Sequence, residues 1–222
     1  MADAVKPLSL VVLISGRGSN LQAILDAIQA GKLRTSVKAV ISTRVDASGL
    51  VNAQRANIDT LALDPGDYPV REDYDRALRG LIDGFQPDLV ALAGFMRILT
   101  PGFVQHYRGR LINIHPSLLP ALRGLNTHQR ALDRGLREHG ASVHFVTEEL
   151  DGGPVIIQVR VPVLAGDTAE SLAARVLSQE HRLYVEALHL LAEKRVYWDG
   201  QQLMYNQQPL HQPLLMDPEQ PN

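Results

Sequence analysis

The chain contains no cysteine, which excludes disulfides and thiolate metal sites and is compatible with a reducing compartment. Neither charge is in excess: 22 Lys and Arg stand against 24 Asp and Glu, a formal net charge of −2, and no block of basic residues occurs. A nucleic-acid surface is therefore not expected, and small-molecule chemistry is the better starting point. Long apolar runs are missing too. The longest near the start, Leu8 to Ile14, is too short to span a bilayer and lacks the small-residue cleavage pattern of a signal peptide. Among the eight histidines there is no HExxH or paired spacing, so no metal site is expected. These absences together describe a cytoplasmic protein without a membrane segment.

What is present suits one compact domain: 222 residues, 45% of them hydrophobic, are enough for a full-sized core. LSLVVLI (8–14) reads as a buried strand, followed by SGRGSN and then by the helical period of LQAILDAIQAGKL, which ends at a Gly-Lys stop signal. The pattern recurs with VKAVIST (37–43), a helix over about 46–57, a short strand near 60–63, a helix from Arg71 to Phe85, and DLVALAG (88–94). Strands that alternate with helices and are apolar on both faces predict a Rossmann-like α/β fold, an open, mostly parallel sheet with helices on both faces.

Beyond residue 110 the pattern changes. ASVHFVT (141–147) and VIIQVRVPV (155–163), joined by EELDGGP, predict an antiparallel hairpin, and a long helix follows over about 168–194. The domain is expected to span 1–204. From 205 to 222 the chain is rich in Gln and Pro without periodicity, which predicts a loosely held tail. No internal repeat is present.

Three stretches invite chemistry. In LINIHP (111–116) a strand puts Asn113 and His115 on one face, and buried hydrogen-bonding side chains need partners or a ligand, because an unsatisfied one costs roughly 1–3 kcal/mol. SGRGSN (15–20) is either a plain glycine turn or a phosphate site, since glycines let the backbone approach an anion and the following helix offers free N–H groups. A dinucleotide fingerprint would need a third glycine and an acidic residue closing the second strand, where this chain has Leu21 and Ser42-Thr43-Arg44; a single phosphate fits better than NAD. AGFMRIL (93–99) should share a crevice with that turn if the strand order is 3-2-1-4, although a place in the core is the commoner fate of residues such as Phe95, Met96 and Leu99. Asp151 stands in a stock Asp-Gly turn, and a functional role for it arises only in combination with His115.

The stretches SGRGSNLQAI, LAGFMRIL, INIHPSLLP, SVHFVTEELDGGPVI and SQEH resemble, in order and spacing from about residue 8 to 200, the phosphoribosylglycinamide formyltransferases, folate-dependent enzymes of purine synthesis. N-x-H-x-S-L-L-P is shared by the wider superfamily and implies the chemistry, whereas SGRGSN with HPS implies the substrate. Methionyl-tRNA formyltransferases differ in the first turn and carry a C-terminal domain for which this chain is expected to have no room. Formyltetrahydrofolate hydrolases carry an N-terminal regulatory domain that is not expected here. A hydrolase remains the alternative inside the superfamily, and a noncatalytic nucleotide-binding module the alternative outside it.

The resemblance implies that the ribonucleotide phosphate sits on Gly18, Ser19 and Asn20, with Glu180 at the glycinamide end. It implies that 10-formyltetrahydrofolate, as cosubstrate, lies along Met96, Arg97, Ile98 and Leu99, beside Asn113, and along Thr147, Glu148, Glu149, Leu150 and Asp151, with Arg71 near its tail. Asn113, His115 and Asp151 match the catalytic trio. No metal, NAD, nucleic acid or membrane partner is implied, and the expected assembly is a monomer or weak homodimer. Segment 121–126 receives no role.

Overall fold

The computed structural model describes residues 6–218, and the chain divides after Phe103 into two compact units. The first contains β1 (Leu8–Ile14), α1 (Ser19–Gln29), β2 (Thr35–Ser42), α2 (Ser48–Arg55), β3 (Asp59–Ala62), α3 (Arg71–Gly84) and β4 (Leu89–Leu92). Its strands run in the order β4-β1-β2-β3, and every pairing among them is parallel. Leu10 to Ile14 are all inaccessible to solvent. Successive strand residues face opposite sides, so β1 is covered on both faces, as its unbroken apolar run predicts. In α3 the buried Tyr74, Leu78 and Ile82 recur every four residues, while Glu72 and Asp73 occupy the first turn, where the helix dipole favours negative charge.

The β4-β1-β2-β3 order makes β1 and β4 neighbours at the point where the winding reverses. The loops leaving their C-terminal ends are tied directly: Ser15 N–H donates to the Gly94 carbonyl at 3.1 Å, and Met96 N–H donates to Ser15 Oγ at 2.9 Å. The glycine turn and the FMRIL segment thus lie side by side, as the predicted strand order requires.

Past α4 (Pro101–His106), the second unit contains β5 (Leu111–His115), α5 (Thr127–Asp133), β6 (Glu138–Phe145), β7 (Val155–Pro162), α6 (Ala169–Ala192), and four short strands, β8 (Val196–Trp198), β9 (Leu203–Tyr205), β10 (Gln208–Pro209) and β11 (Leu214–Met216). β5 and β6 are antiparallel, as are β6 and β7, which is the predicted hairpin. α6 opens on a reciprocal cap: Ser171 N–H donates to Thr168 Oγ1 at 3.2 Å, and Thr168 N–H donates to Ser171 Oγ at 3.0 Å.

Residues 205–218 differ from the expected loose tail. β9 and β10 join β8 in a small antiparallel sheet, and β11 runs parallel to β7, with Leu214, Leu215 and Met216 opposite Ile157, Gln158 and Val159. Strands of two or three residues are too short to display an alternating pattern, and β11 finds its partner some sixty residues back along the chain. No local period announces such a pairing. The remainder of the predicted tail, 219–222, lies outside the described residues.

Candidate active site

β5 presents Asn113 and His115 on one face, and the antiparallel register sets His144 of β6 directly opposite Asn113 and Ser142 opposite His115. His144 is the residue that sequence reasoning missed. Its Nδ1 lies 2.9 Å from the Phe145 carbonyl, which can only accept, so Nδ1 carries a proton. Burial, the largest influence, pushes the His144 pKa well below its ordinary value, against the opposing pull of the Phe145 carbonyl and the Asp151 carboxylate. The ring is therefore neutral at pH 7, and its Nε2 holds a lone pair that accepts from Asn113 Nδ2 at 3.3 Å. One amide hydrogen of Asn113 is tethered and the other is left for a ligand.

His115 is only 6% exposed. Its Nε2 lies 3.1 Å from the Leu122 carbonyl, and its Nδ1 lies 3.4 Å from Asp151 Oδ2. Both ring nitrogens face acceptors, and only the doubly protonated ring donates to both. The Leu122 bond anchors the ring. The Nδ1 contact is longer than an ordinary hydrogen bond, which leaves that N–H able to turn to a stronger acceptor.

Asp151 is at once in the turn and beside His115. It is a turn residue with a left-handed φ of 48°, and its carboxylate, only 9% exposed, points inward. Oδ2 accepts from Gly124 N–H at 2.9 Å, and Oδ1 lies 3.7 Å from His144 Nε2. The turn is held tight by Gly153, where a Cβ would come within 1.9 Å of the Phe145 carbonyl oxygen. The rest of the turn is open, with Glu148, Glu149 and Leu150 exposed and Thr147 Oγ1 donating to the Glu149 carbonyl at 3.3 Å. Segment 121–126, which drew no role from its sequence, supplies contacts to both His115 and Asp151 through Leu122 and Gly124.

In the first unit, Gly18 caps α1 with a φ of 69°, a position that makes no side-chain capping hydrogen bond. A Cβ at Gly18 would lie 2.9 Å from Gly49 Cα, so glycine is needed there for both its φ and its close approach. Ser19 is half-buried and Asn20 buried, beneath a turn whose N–H groups suit an anion. In the adjoining segment Met96 and Ile98 are 74% and 62% exposed, so these apolar residues are not core. Between and beside them Arg97 and Leu99 are half-buried. Arg97 stacks 4.2 Å over the Tyr74 ring, and Arg71 donates to the Ile98 carbonyl. Glu180 is buried on α6 of the second unit. Among the described residues no group of three or more His, Asp or Glu is placed to hold a metal ion.

The model of the family described as "Formyl transferase" matches residues 8–188. The chain is 53% identical over 203 residues to the phosphoribosylglycinamide formyltransferase of Escherichia coli strain K12, covering 88% of this chain and 96% of that one. It is 41% identical over 201 residues to the enzyme of the same name from Haemophilus influenzae, covering 87% and 95%. The solved phosphoribosylglycinamide formyltransferase of Coxiella burnetii superposes with a TM-score of 0.90 at 49% identity, covering 94% of this chain and 99% of that one.

Proposed function

The chain belongs to the formyl transferase family, and we propose that it transfers the formyl group of 10-formyltetrahydrofolate to the amine of glycinamide ribonucleotide, giving N-formylglycinamide ribonucleotide and tetrahydrofolate in purine biosynthesis. The observation that carries the reading is the setting of His115, with one ring nitrogen anchored on Leu122 and the other beside Asp151, next to an Asn113 amide with one hydrogen to spare.

The unprotonated amine attacks the formyl carbon and the carbonyl electron pair moves onto oxygen. The free Asn113 N–H and the His115 Nδ1–H donate to that oxyanion, a stronger acceptor than the ground-state carbonyl. Preorganised donors of this kind are worth about 2.7–4 kcal/mol apiece. Asp151, beside the charged imidazole, supports it and accepts the proton that the amine sheds, directly or through water, on its way to the departing folate nitrogen. The intermediate then collapses, the bond from the formyl carbon to that nitrogen breaks, and no covalent link to the protein forms.

The N–H groups of the turn after Gly18, with Ser19 and Asn20, suit the ribonucleotide phosphate, and Glu180 the glycinamide end. The exposed Met96 and Ile98, with Arg97 and Leu99, suit the folate ring system, as Arg71 suits its acidic tail, and Asn113 and Thr147 to Asp151 offer further contacts. The same reading carries a single-domain cytoplasmic enzyme acting as a monomer or weak homodimer. A spectrophotometric assay with glycinamide ribonucleotide and a 10-formyl folate tests it. Deformylation that requires the amine is expected, whereas formate release without it would make the protein a hydrolase.

A further inference from the structure

We propose that Arg130 is a positioning residue for the formyl transfer. Its guanidinium fastens the backbone on both sides of Gly124, and so holds the stretch that orients His115 and Asp151. The inference rests on the function proposed above and adds to it a residue outside the trio.

The stretch does not hold itself. Leu122, Gly124 and Asn126 all adopt left-handed conformations, with φ of 55°, 78° and 57°, and a residue with a side chain adopts that region at a cost that its surroundings must offset. Leu122 and Thr127 are buried at the two ends, but Leu125 between them is 76% exposed and anchors nothing. The fastening in the middle comes from Arg130, on α5. One nitrogen, Nη1, donates to the Arg123 carbonyl at 2.6 Å and to the Leu125 carbonyl at 3.1 Å, which uses both of its hydrogens. The peptide groups so pinned flank Gly124, whose N–H donates to Asp151 Oδ2. One residue before them, the Leu122 carbonyl accepts from His115 Nε2. The ion pair between Arg123 and Glu149 is too exposed to do the same work.

Without the guanidinium, the carbonyls of Arg123 and Leu125 turn to water at little cost to folding, because this face of the segment is partly exposed. The Gly124 N–H and the Leu122 carbonyl then lose their fixed places. Asp151 and His115 lose the partners that aim them, and misaimed catalytic groups reduce turnover more than binding.

Three measurements test this on the full chain. Arg130→Met is expected to lower kcat about tenfold, to change KM for either substrate less than about threefold, and to speed hydrogen exchange at the Gly124 amide. Arg130→Lys, whose ammonium can also donate to two carbonyls, is expected to recover much of the lost kcat and slow the exchange again. Should the Met variant fail to fold, Arg130→Gln carries the same expectations as Met, since its shorter amide does not span both carbonyls. An active wild type whose kcat survives Arg130→Met within twofold, or a Lys variant as impaired as the Met variant, would overturn the inference. A wild type without formyl transfer but with Arg130-dependent protection of Gly124 would overturn the proposed function and leave the fastening standing.

Discussion

Asn113 has two amide hydrogens, and the one that points to His144 Nε2 decides where the other points. The two donors and the tether therefore have separable signatures. Asn113→Ala and His115→Ala are each expected to lower kcat by roughly 10²–10³ with much smaller changes in KM, because an oxyanion donor acts mainly in the transition state. His144→Phe keeps the ring volume and removes the acceptor, so it should cost less, about tenfold in kcat, in line with the roughly 1–3 kcal/mol of a lost hydrogen-bond partner. Steady-state kinetics decide the order, and an unchanged kcat in the Asn113 or His115 variant would remove that residue from the mechanism. Asn113 and His115 were legible because spacing by two on an apolar strand is a local fact. Asp151 was half legible, since Asp-Gly reads as a turn with or without chemistry. His144 was hidden. Its tie to Asn113 depends on the register between β5 and β6, and nothing within either strand states that register.

The elements that the sequence announces are those with enough length to show a period. All four parallel strands of the first unit and the hairpin of the second carry apolar runs or β-branched residues bounded by turn signals, and α3 and α6 show a full amphipathic stripe. α5, with seven residues, and the short strands of the second unit do not. β11 makes the difference measurable. A chain ending at His211 loses the strand that pairs with Ile157 to Val159 and leaves β7 as a bare edge. A loss of about 1–3 kcal/mol is expected, seen as a fall in Tm with kcat nearly retained, since the side chains proposed for catalysis lie on β5 and the turn before β7. An unchanged Tm would mean that β11 adds nothing. At the other end of the chain, Gly18→Val places a branched side chain in a left-handed turn and against Gly49. It should abolish ribonucleotide binding and leave folate binding nearly intact, as calorimetric titration of each ligand alone would show; selective loss of folate binding would contradict the assignment of the turn to phosphate.

For the molecule as a whole, acid is the informative stress. The net charge of −2 is small, so general self-repulsion near neutral pH is weak, and the pH dependence of stability falls to particular buried groups. His139 is 1% exposed and its pKa is lowered from 6.5 to about 4, first by burial and then by the neighbouring His128 and His115. Its Nε2 lies 3.1 Å from His128 Nδ1, a contact that admits one shared proton and resists a second. His128 and His144 are also lowered, with burial the largest cause in both. Each of these histidines is a base whose folded pKa lies below its unfolded value. Between about 6.5 and 4 the unfolded chain therefore binds more protons than the folded one, and stability must fall as pH falls through that window. His139 alone accounts for roughly 3 kcal/mol of that fall. Below about pH 4 its contribution is exhausted, and the carboxylates take over. Asp167, held well below the usual carboxylate range chiefly by its hydrogen bonds with Arg175, contributes stability that is present above the ordinary Asp pKa and lost only in stronger acid. Urea unfolding at pH 7.5, 6.5, 5.5 and 4.5 should thus show most of the loss above pH 4.5, before the carboxylates titrate. His139→Gln, which cannot charge, should flatten the slope while lowering stability at pH 7.5. If the wild type is equally stable at pH 7.5 and 4.5, these histidines are not buried as neutral bases, and the close pair of His128 and His139 must then be read as exposed to solvent protons in the folded chain.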